Sequence, residues 1–279
     1  MMNKTLVVYH AASLDGFTGA WAFFRFWRDR QITFLPGTQK SVAPDVYDTD
    51  VYMIGFTFTR GCVRRLIDNG CSVTMIGHHR SAEIDLNGLP VRRMGEPSMS
   101  ASEIAFDHVA PLEAPLPLIM QYIADAHLYL HELDQTRQVR CGLYLEEKSF
   151  DNWSRLMLLT EDDTEFKELL LKGTVIYQVR SKMVYNIIKV TKRRLTINGQ
   201  SVFVANCPAS LASDVANVLA EEEPFAAVYY DTRHARHFEL RSKRDGGADV
   251  MEIARYFGGG GHTHAAGFTV PRKHPLARC

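Results

Sequence analysis

The sequence predicts an α/β protein: a parallel-sheet amino-terminal domain and a smaller α/β carboxy-terminal domain joined by a long helix. Three observations lead to this fold class. Short apolar strands alternate with helices in the first part of the chain, one apolar stripe runs through the middle, and strands resume beyond it. The 279 residues can fill two modest domains. We expect the domains to span residues 1–185 and 195–279.

Strand candidates in the amino-terminal domain are short apolar or extended runs, at 6–9, 31–35, 51–54 and 72–76. Apolar residues at helical spacing predict helices at 17–30 and 63–69, and the segment 118–133 is also expected to be helical. A proline-rich segment at 112–117 is expected to connect elements. Short apolar strands separated by helices are typical of a parallel sheet.

The long helix is predicted from apolar residues spaced by threes, fours and sevens, at positions 169, 176, 179, 183, 187 and 190. Gly173 interrupts this stripe without ending it, and the exposed side of such a helix offers a surface for a homodimer. Strands are expected after it at 201–205, 226–230, 237–241 and 267–270. Helices are expected at 213–222 and 248–257.

Composition limits the partners and the compartment. The chain carries 32 basic and 32 acidic residues, so no strongly basic face is expected that would bind a long duplex, and a short nucleotide fits better. The five cysteines lack metal-ligand spacing, which is typical of reduced thiols in a cytoplasmic protein. The sequence shows no signal peptide and no apolar run of membrane-spanning length, so we expect no membrane partner.

Polar or glycine-containing junctions follow three of the apolar strands, and one of them is Ile54–Gly55–Phe56–Thr57. His10 ends the first strand and Asp15 follows it, and His78 and His79 follow the strand at 72–76. Because ligands bind beyond the carboxyl ends of parallel strands, these four side chains are expected to gather there. Imidazoles with a carboxylate suit Mn²⁺ or a similar ion. The alternative is that they are loop histidines that serve as caps and satisfied polar groups.

A run of glycines near the carboxyl terminus forms the second candidate site, at Gly258, Gly259, Gly260, Gly261 and His262. A loop without side chains lets a phosphate approach converging backbone N–H groups, and His262 would add a donor or a cation. Four glycines cost more conformational entropy than a simple turn requires. The alternative is a helix stop followed by a flexible turn.

Together these motifs resemble the DHH/DHHA1 phosphoesterase superfamily, in the branch of small oligonucleotide-degrading members. The opening motif corresponds to the segment from His10 to Phe17, and the namesake motif to Gly77–His78–His79. A helix motif corresponds to Asp125, and the terminal motifs to Arg241–Ser242 and the glycine run. The resemblance covers nearly the whole chain.

The resemblance implies a dinuclear Mn²⁺ centre in the amino-terminal domain, with a ligand set of His10, Asp15, His78 and Asp125. It implies that His79 faces the scissile phosphate as a catalytic residue. It also implies that the carboxy-terminal domain holds the rest of the substrate through Arg241, Ser242, Gly258, Gly259, Gly260, Gly261 and His262.

Two departures from the family pattern affect the metals. Family members carry an aspartate that bridges both ions where this chain has Gly55, and the namesake aspartate is replaced by Gly77. Two dications held ~3.5–4 Å apart without a bridging carboxylate repel each other strongly. We therefore expect at most one weakly bound ion. Further departures are Ser13 and His127, and a rescue by Glu83, Asp85 or His127 stays open.

The sequence thus predicts a DHH/DHHA1-type phosphodiesterase-fold protein that binds short oligonucleotides, dinucleotides or cyclic nucleotides. Metal-dependent phosphodiester hydrolysis is expected to be impaired by the glycines at 55 and 77. Two alternatives stay open. One is an active Mn²⁺-dependent phosphodiesterase or exonuclease-type hydrolase with an altered metal centre, and the other is a non-catalytic protein that sequesters a nucleotide.

Overall fold

The computed structural model describes residues 4–38, 41–77, 80–96 and 98–278. It divides into two compact units, Met1–Tyr177 and Gln178–Cys279. The division falls inside one long helix, α8, which extends over Thr164–Thr191. Within the described residues, no helix is both long enough and apolar enough to cross a membrane.

The sheet of the first unit is parallel throughout. In the part of the chain that the structure describes, five strands run in the order β2-β1-β3-β4-β5. Their bounds are Lys4–His10 (β1), Ile32–Gly37 (β2), Thr49–Ile54 (β3), Ser72–Ile76 (β4) and Val91–Met94 (β5). Because all five run the same way, the carboxyl ends of β1, β3 and β4 lie side by side at one edge.

Helices cover both faces of this sheet. They are α1 (Leu14–Phe26), α2 (Arg60–Asp68), α3 (Arg80–Asp85), α4 (Ala101–Val109), α5 (Leu118–His127), α6 (Thr136–Leu143), α7 (Phe150–Leu156) and the first part of α8. In β1, Val7 enters a core with α1, α4 and α5. Its neighbours Leu6 and Val8 enter a second core with α2. This alternation explains why the strands read as continuous apolar runs.

The second unit has a mixed sheet. Its strands, taken over the described ranges, follow the order β10-β11-β9-β8-β7-β6, and the β7–β8 pair is parallel whereas the other pairs are antiparallel. The elements are β6 (Arg193–Ile197), β7 (Gln200–Asn206), α9 (Ala212–Ala220), β8 (Ala226–Asp231), β9 (Ala235–Arg241), α10 (Val250–Tyr256), β10 (Gly260–His262) and β11 (Ala265–Pro271). A parallel sheet plus a second α/β unit confirms the predicted fold class.

Part of the glycine run is a strand and not the loop that the sequence suggested. Gly260–His262 pairs with β11 as the edge strand of a hairpin whose turn holds Thr263 and His264. A side chain at Gly259 would overlap the backbone of Gly267, and one at Gly261 would lie 2.6 Å from Ala266 Cα. The glycines therefore allow close backbone contact with β11, a role that their number alone did not reveal.

Two glycines allow α6 and α8 to pack closely against each other. The long helix continues through Gly173, as predicted, because this residue faces α6: a Cβ there would overlap Gln138 O and lie 2.7 Å from Gly142 N. A Cβ at Gly142 would lie 2.5 Å from Leu169 O. The two backbones are therefore too close for any side chain at either position.

We expect Gly173→Ala to lower the stability of the protein by ~1–3 kcal/mol, since the added methyl group forces the two helices apart. Thermal unfolding followed by circular dichroism measures this change. Gly61→Ala is the matched control, because Gly61 lies in α2 with nothing within 4 Å of its added Cβ. The control should be neutral or slightly stabilising. Equal melting temperatures for Gly173→Ala and wild type would contradict the close helix contact.

Candidate functional site

The first unit places His10 and Asp15 at the carboxyl edge of its sheet. His10 is the last residue of β1, and Asp15 lies in the first turn of α1. Gly16 makes the short connection possible, because a Cβ there would lie 3.0 Å from the backbone N and O of His10. The Ser13 side chain caps the helix by accepting from Gly16 N at 3.3 Å. The strand-to-helix turn thus holds both side chains in place.

The carboxylate of Asp15 is buried on the amino terminus of α4. Its exposed fraction is 1%, and its two oxygens accept hydrogen bonds from Ala101 N at 3.2 Å and Ser102 N at 2.9 Å. The first turn of a helix has N–H groups without intrahelical acceptors and a partial positive charge, and an anion satisfies both. Ser100 and Glu103 complete this helix start with a capping box.

His127 contacts the same carboxylate. Its Nε2 lies 3.5 Å from Asp15 Oδ2, and its side chain is 30% exposed. Burial alone raises the pKa of Asp15, but the charge of His127 and the hydrogen bonds from Ser102 outweigh it and hold that pKa below its ordinary value. In the sequence, His127 stood out only as a departure from the family pattern and as one of three residues that could restore metal binding. The structure places it against the central carboxylate.

His10 and Lys148 are two further basic side chains in this region. Burial lowers the pKa of His10 first, and the positive charges of His127 and Lys148 lower it further. Lys148 is exposed, and its Nζ lies 3.5 Å from Ala11 O. No motif in the sequence indicated Lys148, because it reaches the site from a loop far along the chain. The lowered pKa favours the neutral imidazole of His10.

Asp125 is held by a different part of the chain. Its carboxylate accepts from Glu132 N at 2.9 Å, Leu133 N at 3.4 Å and the hydroxyl of Thr136. These donors belong to the connection between α5 and α6 and to the start of α6. These donors therefore already satisfy the carboxylate, which anchors the loop between α5 and α6. Its role as a metal ligand stays a prediction.

Gly55 and Gly77 lie next to each other at the ends of β3 and β4. Both have left-handed backbone conformations, with φ of 71° and 134°. A Cβ at Gly55 would lie 3.7 Å from His10 Cβ, and one at Gly77 would lie 3.8 Å from Gly55 Cα. A side chain at position 55 would therefore enter the site beside His10. His78 and His79 lie outside the described residues, so their predicted roles stay untested.

The described donors do not by themselves form a metal centre. In residues 4–38, 41–77, 80–96 and 98–278, no group of three or more His, Cys, Asp or Glu side chains could hold an ion. The carboxylates of Asp15 and Asp125 both accept hydrogen bonds from the protein, and position 55 contributes no ligand.

The predicted substrate residues of the second unit lie on the hairpin and its neighbouring strand. Ala265 of β11 pairs with both His262 and Arg241, so these three residues share one face of the sheet. Arg241 Nη2 donates to Ser213 Oγ at 2.6 Å and contacts Glu239 Oε2 at 3.3 Å. Arg241 Nε is buried and has no hydrogen-bond partner among the described residues.

Ser242 anchors the turn of the glycine hairpin. Its hydroxyl donates to Ala248 O at 2.7 Å and lies 3.0 Å from His264 Nδ1, and its N–H donates to His264 O at 3.2 Å. These contacts give His264, for which the sequence suggested no role, a structural one. Ser242 thus positions the hairpin, and direct contact with substrate stays a prediction for it.

Comparison with known proteins shows which fold this architecture has. No protein-family model matches the sequence. An uncharacterized protein of Acanthamoeba polyphaga mimivirus is 22% identical over 285 residues, covering 94% of this chain and 66% of that protein. The DHH domain of a member of a ribosomal protein family matches with a TM-score of 0.58 and 11% identity, over 96% of this chain and 83% of its own. The chain has the DHH fold.

A second structure of this fold, RecJ from Thermus thermophilus in complex with Mn²⁺, matches with a TM-score of 0.53 and 17% identity. The match covers 96% of this chain and 50% of the RecJ chain. The resemblance drawn from the motifs is thereby confirmed for the fold. Two regions of this fold hold the candidate residues of this chain: the carboxyl edge with His10 and Asp15, and the glycine hairpin.

We expect Gly55→Asp to raise the affinity for Mn²⁺ about 10-fold or more, because it adds a carboxylate beside His10. The left-handed backbone should cost ~1–2 kcal/mol of stability. Isothermal titration calorimetry and thermal unfolding measure the two effects. Gly88→Asp is the control, since Gly88 is also left-handed, with φ of 80°, and nothing lies within 4 Å of its added Cβ. A similar stability loss in both variants with no gain in metal affinity at position 55 would overturn this placement.

Proposed function

We propose that this DHH-fold protein binds a short oligonucleotide, a dinucleotide or a cyclic nucleotide, and that its metal-dependent phosphodiester hydrolysis is impaired. One observation carries the proposal: the carboxylate of Asp15 is bound to the start of α4, and the neighbouring positions 55 and 77 have no side chains. The site keeps its basic groups but lacks the carboxylates that hold two ions together.

The charges of both units support an anionic ligand. In the first unit, His10 and His127 lie near the buried carboxylate of Asp15, and Lys148 lies near His10. In the second unit, Arg241 and His262 share a face of the sheet, and the glycine strand β10 is the edge strand of that sheet. Cationic side chains bind phosphate groups, and so do backbone N–H groups that no side chain shields. We assign the phosphate-holding role to Arg241, His262 and the glycines at 258–261.

The proposal includes at most one divalent ion. RecJ, which has the same fold, was crystallised with Mn²⁺. In this chain we propose at most one weakly bound Mn²⁺, with His10, Asp15, His78 and Asp125 as its ligand candidates and His79 beside the phosphate. Such an ion would act as a Lewis acid toward a phosphoryl oxygen. To reach it, Asp15 would have to share its oxygens with α4.

An active phosphodiesterase with an altered metal centre is the second candidate. The retained residues His10, Asp15, His78, His79 and Asp125 favour it, whereas Gly55 and Gly77 favour a protein that binds or sequesters the nucleotide. The position of His127 also bears on this choice. It lies where an imidazole could compete with an ion for Asp15.

The experiment is to incubate the purified protein with Mn²⁺ and a panel of linear di- to pentanucleotides and cyclic dinucleotides. Calorimetry measures binding, and chromatography identifies the products. We expect binding with the ligand recovered intact or cleaved slowly, and we expect His262→Ala to weaken binding at least 10-fold because a phosphate partner is lost.

His234→Ala is the matched control, because His234 lies in the exposed turn between β8 and β9. Rapid multiple turnover with any member of the panel would show that hydrolysis is not impaired. An affinity that is the same for wild type and His262→Ala would exclude the hairpin as the phosphate-holding element.

A further inference from the structure

One face of the second unit's sheet carries a row of polar and aromatic side chains. Along β9, Phe238 and Leu240 are buried in the core, so His237, Glu239 and Arg241 lie on the opposite face. The pairing of β9 with β8 and β11 places Tyr230 and Thr269 beside His237 on that face. On this face α9 covers the β8 side, where Ala226 and Val228 are fully buried, whereas Thr269 on β11 is exposed. We call it the polar face, and it also carries His262 and Arg241.

Tyr230 and His237 form a fixed aromatic pair on this face. Their rings stack with centroids 4.9 Å apart and an interplanar angle of 17°. The two ring nitrogens of His237 lie 2.9 Å from Thr269 Oγ1 and 3.4 Å from Thr232 Oγ1, which fixes the orientation of the ring. Both rings are only half-buried, so the pair offers an aromatic surface to a ligand. Stacking on aromatic side chains is a general way to hold a nucleobase.

The neighbouring Tyr229 is not available for this purpose. It is buried on the core side of β8, with Arg236 over its ring at 4.0 Å and its hydroxyl 2.9 Å from Arg193 Nη2. The sequence shows two adjacent tyrosines of equal chemistry. The alternation of the strand assigns Tyr229 to the core and Tyr230 to the polar face.

A strip without side chains lies beside this aromatic pair. Gly267 of β11 pairs with Glu239 on one side and with Gly260 on the other, so the bare position Gly267 adjoins Glu239 and the bare position Gly260 lies one strand further out. A planar ring can lie on such a strip, because no side chain rises from it. Arg241 and His262 lie on the same face, one step further along their strands. The face therefore combines a ring surface, a bare floor, a carboxylate and two phosphate-binding groups.

Glu239 is suited to read a base edge. Its side chain is 29% exposed, and the basic group beside it is Arg241, 3.3 Å away. Burial raises the pKa of Glu239, and Arg241 only partly offsets this effect, so the carboxylate gains from further N–H donors. A guanine presents two adjacent donors, N1–H and the exocyclic amino group, to one carboxylate. An adenine presents an acceptor at N1, which the carboxylate repels.

From this geometry we infer that Tyr230, His237 and Glu239 form a nucleobase subsite over Gly260 and Gly267, and that Glu239 makes it selective for guanine. The inference rests on the proposed nucleotide binding and deepens it by naming the base. Tyr230 and His237 supply the stacking surface, and Glu239 accepts from the edge of the base.

The test compares linear 5′-phosphorylated diguanylate and diadenylate by isothermal titration calorimetry on the full chain. Wild type should bind the guanine dinucleotide at least 10-fold more tightly. Glu239→Gln, which keeps the side-chain size, should remove most of this preference. Tyr230→Ala should weaken binding of both dinucleotides about 10-fold, and Tyr230→Phe should restore it because the ring returns.

Tyr256→Ala is the matched control, since Tyr256 is 75% exposed on α10 and outside this face. Melting temperatures of all variants establish that they are folded. Equal affinity of wild type for the two dinucleotides, or an unchanged preference in Glu239→Gln, would overturn the guanine subsite while leaving nucleotide binding intact. Failure of wild type to bind either dinucleotide or any member of the wider panel would instead remove the proposed function itself.

Discussion

The contact between the Asp15 carboxylate and the first turn of α4 organises the amino-terminal unit. A buried carboxylate without hydrogen-bond donors is costly, and the first N–H groups of a helix are costly when they are buried without acceptors. Here each satisfies the other, with Ala101 and Ser102 as donors, and His127 Nε2 lies 3.5 Å from the carboxylate. The contact ties α1 to α4 and α5 over one face of the sheet. Removing the carboxylate would leave two buried donors unsatisfied.

This structural use of Asp15 changes what the site can do. A carboxylate that accepts two backbone hydrogen bonds has fewer free lone pairs for an ion, and the two glycines beside it offer none. His10 and His127 lie close to it. In the function we propose, such a combination favours holding a phosphate over cleaving its ester. The polar face of the second unit, with its paired rings and bare glycine strip, is our proposed site for the base of the nucleotide.

Much of the fold was predictable from local patterns, whereas the decisive contacts were not. The strands at β1, β3 and β4 follow from short apolar runs, and α8 follows from its spacing even across Gly173. The partner of Asp15 is 86 residues away in sequence, and no periodicity relates them. Likewise, the glycine run predicts a loop that a phosphate can approach, and only the register with β11 shows that half of the run is a strand in close backbone contact. The choice between Tyr229 and Tyr230 also required the strand alternation to be known.

Amide hydrogen exchange at Ala101 and Ser102, measured at residue resolution with and without saturating Mn²⁺, tests the central claim most directly. These two amides lack intrahelical acceptors, so their protection reports the Asp15 contact. The account predicts that both are protected and that Mn²⁺ leaves their exchange rates unchanged within about 2-fold. Loss of protection at both amides when Mn²⁺ is added would show that the carboxylate leaves α4 for the ion, and would contradict the account.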